Sequence, residues 1–141
     1  MNENNAKILP LDKTICLIVD DDRFSRTFTK NALYQIGIKN TKEAGNSEEA
    51  LEILRNFKID IILLDQQMPG KSGIEFANEV KSGSIGSVKN IPIIMVTVDT
   101  KEKTVLEAKR LGITEYLVKP ISPLSLKKRI CSALGLNNER V

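Results

Sequence analysis

Ile61-Ile62-Leu63-Leu64-Asp65-Gln66-Gln67-Met68-Pro69-Gly70 is the stretch on which the fold turns. Its four aliphatic residues do not alternate with polar ones, so a strand made from them is apolar on both faces. That is what a parallel strand covered by helices on both sides requires. Similar runs occur at Ile15-Cys16-Leu17-Ile18-Val19, Ile93-Ile94-Met95-Val96 and Tyr116-Leu117-Val118, and Thr41 to Ala44 reads as a weaker edge strand.

Between the runs the apolar spacing becomes helical. Phe24, Phe28, Ala32, Leu33 and Ile36 are expected to form one inward stripe that stops before Gly37. Ser47 is expected to cap a second helix, with Glu48 and Glu49 at the positive end of its dipole and Leu51, Leu54 and Phe57 facing inward. A third follows Ser72 with Ile74, Ala77 and Val80, ending near Gly83. A fourth carries Val105, Ala108 and Leu111 and ends before Gly112, a residue suited to a left-handed turn. The fifth, after Pro123, buries Leu126, Ile130, Ala133 and Leu134. Ser84 to Asn90 reads as a loop. Strand and helix thus alternate five times, which with short connections predicts a doubly wound α/β fold with helices on two sheet faces.

A chain of 141 residues fits one core, here taken as residues 14–136 between a flexible N-terminal tail, 1–13, and a short C-terminal tail, 137–141. Its 41% hydrophobic and 28% charged residues are ordinary for a globule, and no apolar run nears the ~20 residues that span a bilayer. The polar segment Met1 to Lys13 has no signal core, so the expected location is cytoplasmic, with no membrane association. Cys16 and Cys131 read as buried thiols rather than a disulfide. A net charge of +3 is too small and dispersed to indicate DNA binding. The chain has no histidine, which excludes Ser-His or Cys-His nucleophiles, His-ligated zinc and a phosphohistidine of its own.

Ligands of open parallel sheets bind beyond the carboxyl ends of the strands. Those ends carry Asp20-Asp21-Asp22, Asp65, Thr97 and Lys119. Taken singly, they are a helix cap, a polar strand end and a surface lysine. Together they put several carboxylates in one cleft, where their repulsion calls for a lysine or a cation. An oxygen-only donor set suits Mg²⁺. A carboxylate nucleophile, a metal, an ammonium and a hydroxyl are the parts that place and neutralise a phosphoryl group.

From Thr14 to about Leu136 the chain resembles the CheY-like receiver domains of two-component response regulators. The matching residues are Ile18-Val19-Asp20-Asp21-Asp22, Leu63-Leu64-Asp65-Gln66-Gln67-Met68-Pro69-Gly70, Met95-Val96-Thr97 and Tyr116-Leu117-Val118-Lys119-Pro120. The resemblance implies a flavodoxin-like five-stranded sheet of order 2-1-3-4-5. It implies a stand-alone phosphoacceptor that is not a conventional enzyme but assists its own phosphorylation and dephosphorylation. Asp65 is then phosphorylated by a sensor histidine kinase or histidine phosphotransfer protein, with Mg²⁺ on Asp20, Asp21, Asp65 and the Gln67 backbone carbonyl. Lys119 pairs with the phosphoryl group, Lys119-Pro120 is a cis peptide bond, and Thr97 and Tyr116 form the switch that alters binding to a separate downstream protein. By analogy, Phe24 and Thr27 on the first helix form the kinase-docking surface.

Val98 departs from the small residue usual after the switch threonine, and its bulk is expected to narrow access to Asp65. Gln67 and Asp99 fall where the family tunes phosphoryl lifetime. Lys109, Arg110, Lys127, Lys128 and Arg129 lie on or near the expected signalling helices, where a solvated face is the plainer explanation. Within the same fold, a phosphorelay intermediate and a pseudo-receiver acting only by contacts are the alternatives. A haloacid-dehalogenase-like phosphatase would use Asp20 as nucleophile, but Phe24 stands where Thr or Val is expected. A flavodoxin-like nucleotide binder would need a phosphate loop where the three aspartates stand.

Overall fold

The structure is a computed structural model that describes residues 10–136. Five strands, β1 (Ile15–Val19), β2 (Asn40–Ala44), β3 (Ile61–Leu64), β4 (Ile93–Thr97) and β5 (Glu115–Val118), form one parallel sheet in the order β2-β1-β3-β4-β5. The helices between and after them are α1 (Arg23–Gln35), α2 (Ser47–Asn56), α3 (Gly73–Lys81), α4 (Glu102–Arg110) and α5 (Pro123–Leu134). This is the doubly wound architecture expected from the alternating pattern.

The unalternating runs of β1, β3 and β4 are buried, as their composition requires, whereas in the edge strand β5 only Leu117 is buried and Val118 is 48% exposed, because no strand lies beyond it. Cys16, Ile18, Ile61, Leu63, Ile94 and Val96 pack against Ala32 and Leu33 of α1 and Leu126, Ile130 and Cys131 of α5. Their neighbours Leu17, Val19, Ile62, Leu64, Ile93 and Met95 pack against Ala50 and Leu54 of α2, Phe76, Ala77 and Val80 of α3, and Ala108 of α4. Each fully buried aliphatic side chain of this size stabilises the fold by about 1.5–3 kcal/mol relative to exposure. Both cysteines are free thiols, and burial raises the proton affinity of each.

Several local expectations need correction. In α1 the inward face is Thr29, Ala32 and Leu33, whereas Phe24 is 88% and Phe28 55% exposed. Phe28 sits about 100° round the helix from Thr29, so a hydrophobic stripe drawn through both phenylalanines follows the wrong face. Phe57 is also exposed, with the Lys42 ammonium 4.0 Å above its ring. The α2 cap is Asn46, whose side chain accepts from the Glu49 N–H; Ser47 is the first helical residue. Part of the expected loop, Gly86–Asn90, is a 3₁₀ turn. Ordered structure also precedes Thr14, because Leu11–Lys13 form a 3₁₀ turn that buries Leu11 in the α1/α5 core. The remaining tail segments, 1–9 and 137–141, lie outside the described residues.

Ser72 caps α3 in a reciprocal capping box with Glu75. Gly112 takes the left-handed conformation expected past α4, with φ +84°. The Lys119–Pro120 peptide bond is cis. Among the described residues no helix is long and apolar enough to cross a membrane.

Candidate functional site

Three polar residues stand first beyond their strands, and each is fixed by a backbone hydrogen bond to the adjacent strand. The Asp20 N–H donates to the Ala44 carbonyl at 3.0 Å, the Asp65 N–H to Val19 at 2.9 Å, and the Lys119 N–H to Thr97 at 2.9 Å. The sheet ladder therefore sets the spacing of these side chains along one edge.

Their side chains meet. Lys119 Nζ donates to Asp20 Oδ2 at 2.7 Å and to Asp65 Oδ2 at 3.0 Å. The other oxygens are held by backbone: Asp20 Oδ1 accepts from the Asp22 N–H at 2.9 Å, and Asp65 Oδ1 from the Gln67 N–H at 3.3 Å. Asp20 and Asp65 are buried and Asp21 is exposed, with carboxylate oxygens of all three within 4.8 Å of one another. Burial alone would lower the Lys119 proton affinity, but the hydrogen bonds and charges of Asp20 and Asp65 outweigh it and raise it above the ordinary lysine value.

One ammonium against three converging carboxylates leaves an excess of negative charge. A hard divalent cation with oxygen ligands fits this set, and an exposed third carboxylate leaves room for the waters that Mg²⁺ retains. Asp21, Asp65 and Lys119 line a cleft of about 580 Å³ whose walls include Ser25, Phe28, Gln67, Val98 and Ile121. Val98 forms part of that wall.

Thr97, Tyr116 and Asp99 are arranged differently from the carboxylates. Thr97 is fully buried, and its Oγ1 accepts from the Asp99 N–H at 3.2 Å. Tyr116 Oη donates to the Asp99 carbonyl at 2.7 Å. Its phenol is raised in pKa by burial and by the charges of Asp99 and Asp65. The buried Asp99 carboxylate accepts from the Lys101 N–H at 2.9 Å and from Thr104 Oγ1 at 3.2 Å. The Lys101 backbone bond is the largest of the effects that hold its pKa below the ordinary value. Asp99 therefore ties the β4–α4 loop to the first turn of α4.

Gly73 is a site residue that pattern reading overlooked. A Cβ built there would lie 2.3 Å from the Asp65 carbonyl oxygen and 2.8 Å from Gln66 Cα. Its N–H donates to the Gln66 carbonyl, and Gln66 Oε1 accepts from the Ile74 N–H at 2.7 Å. The start of α3 is thus pressed against the backbone of Asp65. The available signal was a glycine directly behind the Ser72 cap, a place where almost any residue begins a helix.

Residues 16–131 match the family described as the response regulator receiver domain. The chain belongs to the response regulator receiver family. This receiver domain is 36% identical over 114 residues to the chemotaxis protein CheY of Pseudomonas aeruginosa, covering 81% of this chain and 90% of the relative. It is 33% identical to the chemotaxis protein CheY-3 of Vibrio cholerae, covering 81% and 86%. Among solved structures, Vibrio cholerae CheY4 superimposes with a TM-score of 0.77 at 32% identity, covering 86% of this receiver domain and 98% of that chain. A CheX–CheY–BeF3–Mg complex of Borrelia burgdorferi gives 0.77 at 26% identity, covering 92% of each chain.

Proposed function

We propose that Asp65 accepts a phosphoryl group from a sensor histidine kinase or histidine phosphotransfer protein. Asp20, Asp21, Asp65 and the Gln67 backbone carbonyl hold Mg²⁺, and the modified domain changes its binding to a separate protein. The observation that carries this is the meeting of Asp65 with Asp20, Asp21 and Lys119, with Asp21, Asp65 and Lys119 lining an accessible cleft. The Borrelia complex, which contains both Mg and a protein partner, supports the metal and the protein output.

In the transfer step an Asp65 carboxylate oxygen forms a bond to phosphorus as the phosphorus–nitrogen bond of the donor phosphohistidine breaks. The electron pair stays on the imidazole nitrogen, which takes up a proton. Mg²⁺ held by Asp20, Asp21 and Asp65 would supply positive charge that offsets the charge of the incoming phosphoryl group. Lys119 stays protonated because two carboxylates hold it so, and its ammonium neutralises charge that moves onto the new acyl phosphate. The backbone hydrogen bonds at Asp20, Asp65 and Lys119 keep these groups in place without rearrangement.

For output, Thr97 exchanges its bond with the Asp99 N–H for one to the phosphoryl group, which disturbs the contact between Asp99 and Tyr116. Phe24 and Phe28, exposed on α1, supply an apolar surface on which a donor docks. Uptake of labelled phosphate from acetyl phosphate, titrated with Mg²⁺, tests the chemistry. Uptake should saturate with the metal and vanish with EDTA; labelling that ignores the metal would overturn the proposal.

A further inference from the structure

Arg26 is not among the residues assigned above, yet it touches the site from behind. One guanidinium nitrogen, Nη1, donates to the Asp20 backbone carbonyl at 2.6 Å, while Nε donates to Glu43 Oε1 at 3.1 Å. The side chain is only 17% exposed. One planar group thus joins α1, the β1 end and the edge strand β2, which an arginine can do and a lysine, as a point donor, cannot. We infer that Arg26 is a positioning residue for the metal: by holding the Asp20 carbonyl it fixes the Asp20–Asp21 peptide, and so keeps the Asp21 carboxylate converging with those of Asp20 and Asp65.

The geometry around Asp20 explains why this matters. Its N–H is bound to Ala44, its carbonyl to Arg26, Oδ1 to the Asp22 N–H and Oδ2 to Lys119. The Asp22 bond also joins Asp20 to the N-cap of α1, whose own helix carries Arg26. Removing the guanidinium releases the carbonyl between two anchored segments, so the peptide plane that follows Asp20 can turn and take Asp21 with it.

The inference rests on the metal part of the proposed function, and Mg²⁺ binding measured by calorimetry on unphosphorylated protein tests it. Arg26→Met is expected to weaken Mg²⁺ binding about tenfold, the low end for partners that orient a metal ligand. Arg26→Lys should fall between Met and wild type, and carries the test if the Met variant does not fold. Glu43→Gln removes the ion pair but leaves the carbonyl bond, so its binding should stay within about twofold of wild type. In acetyl phosphate assays the half-saturating Mg²⁺ of Arg26→Lys should rise while the maximal rate is kept. Wild-type protein that takes up no Mg²⁺ would overturn the metal site itself. Wild-type binding that persists unchanged in folded Arg26 variants, or falls equally in Glu43→Gln, would overturn this inference alone.

Discussion

Replacing Gly73 by alanine should damage stability and chemistry together, for one geometric reason. The added Cβ would lie 2.3 Å from the Asp65 carbonyl oxygen, against about 3.3 Å for a tolerable carbon–oxygen approach, so one side must retreat by about 1 Å. The obstructing atoms are backbone, and Asp65 is tied by its N–H to Val19 and by its carboxylate to Lys119. Forcing a methyl group into so close a contact costs about 1–3 kcal/mol, only partly offset by the better helix propensity of alanine. We expect a net loss near 2 kcal/mol, seen as a melting temperature lower by about 6 °C. Displacing a reacting group by about 1 Å can slow a reaction about 100-fold, and phosphoryl uptake from acetyl phosphate should fall on that order. Gly45→Ala is the control for stability, because its Cβ meets only the flexible side-chain atoms Arg26 Nη1 and Glu49 Oε1, at 3.4 Å and 3.5 Å. A Gly73→Ala protein with wild-type melting and uptake within threefold of wild type would refute the reasoning.

Asp99→Ala leaves the Lys101 N–H and the Thr104 hydroxyl without their acceptor, which should cost about 1–3 kcal/mol in urea unfolding at neutral pH. Because the native carboxyl is held below the ordinary 3.8, this stabilisation exists above that value and fades as pH falls through the lower native one; a difference that persists in strong acid would contradict it. Lys119 and Tyr116 have native pKa values raised above 10.5 and 10.0, so their contribution is intact below about pH 10 and is lost as pH climbs through the native values. Lys119→Met should show a shallower loss over that alkaline range, and Mg²⁺ should raise its melting temperature more than that of wild type. Ser72→Ala removes a side-chain cap from α3 and should cost about 1 kcal/mol by denaturant unfolding. Thr27→Arg, on the exposed face between Phe24 and Phe28, should slow transfer from a cognate phosphodonor while leaving acetyl phosphate uptake unchanged; equal transfer rates would remove α1 as the docking surface.

The sheet was legible because its central strands β1, β3 and β4 are covered on both faces, and a run such as Ile61 to Leu64 has few other ways to bury itself. The acidic site was legible for a related reason, since residues that directly follow such runs must emerge at the same sheet edge. Helix faces were harder. Phe24 and Phe28 are apolar residues on a surface, and hydrophobicity alone does not distinguish a core stripe from an exposed one. Asn46 rather than Ser47 is the cap because the backbone at residue 46 is extended, a local conformation that side-chain chemistry does not dictate, since both side chains can accept the bond. Gly73 and Arg26 act through the Asp65 and Asp20 backbone, and spacing cannot show that a carbonyl oxygen will lie against them. Thr97 was read correctly as a strand-end hydroxyl, but its present partner, the Asp99 N–H, follows from a loop path that no periodicity encodes.

Intact mass spectrometry of the protein after brief exposure to acetyl phosphate and Mg²⁺, with fragment mapping of the modified residue, tests the central claim most directly. Wild type should gain one phosphoryl group on residue 65, and Asp65→Asn should gain none. Unmodified wild type after rapid quenching, or a phosphoryl group mapped to Asp20 instead, would contradict it.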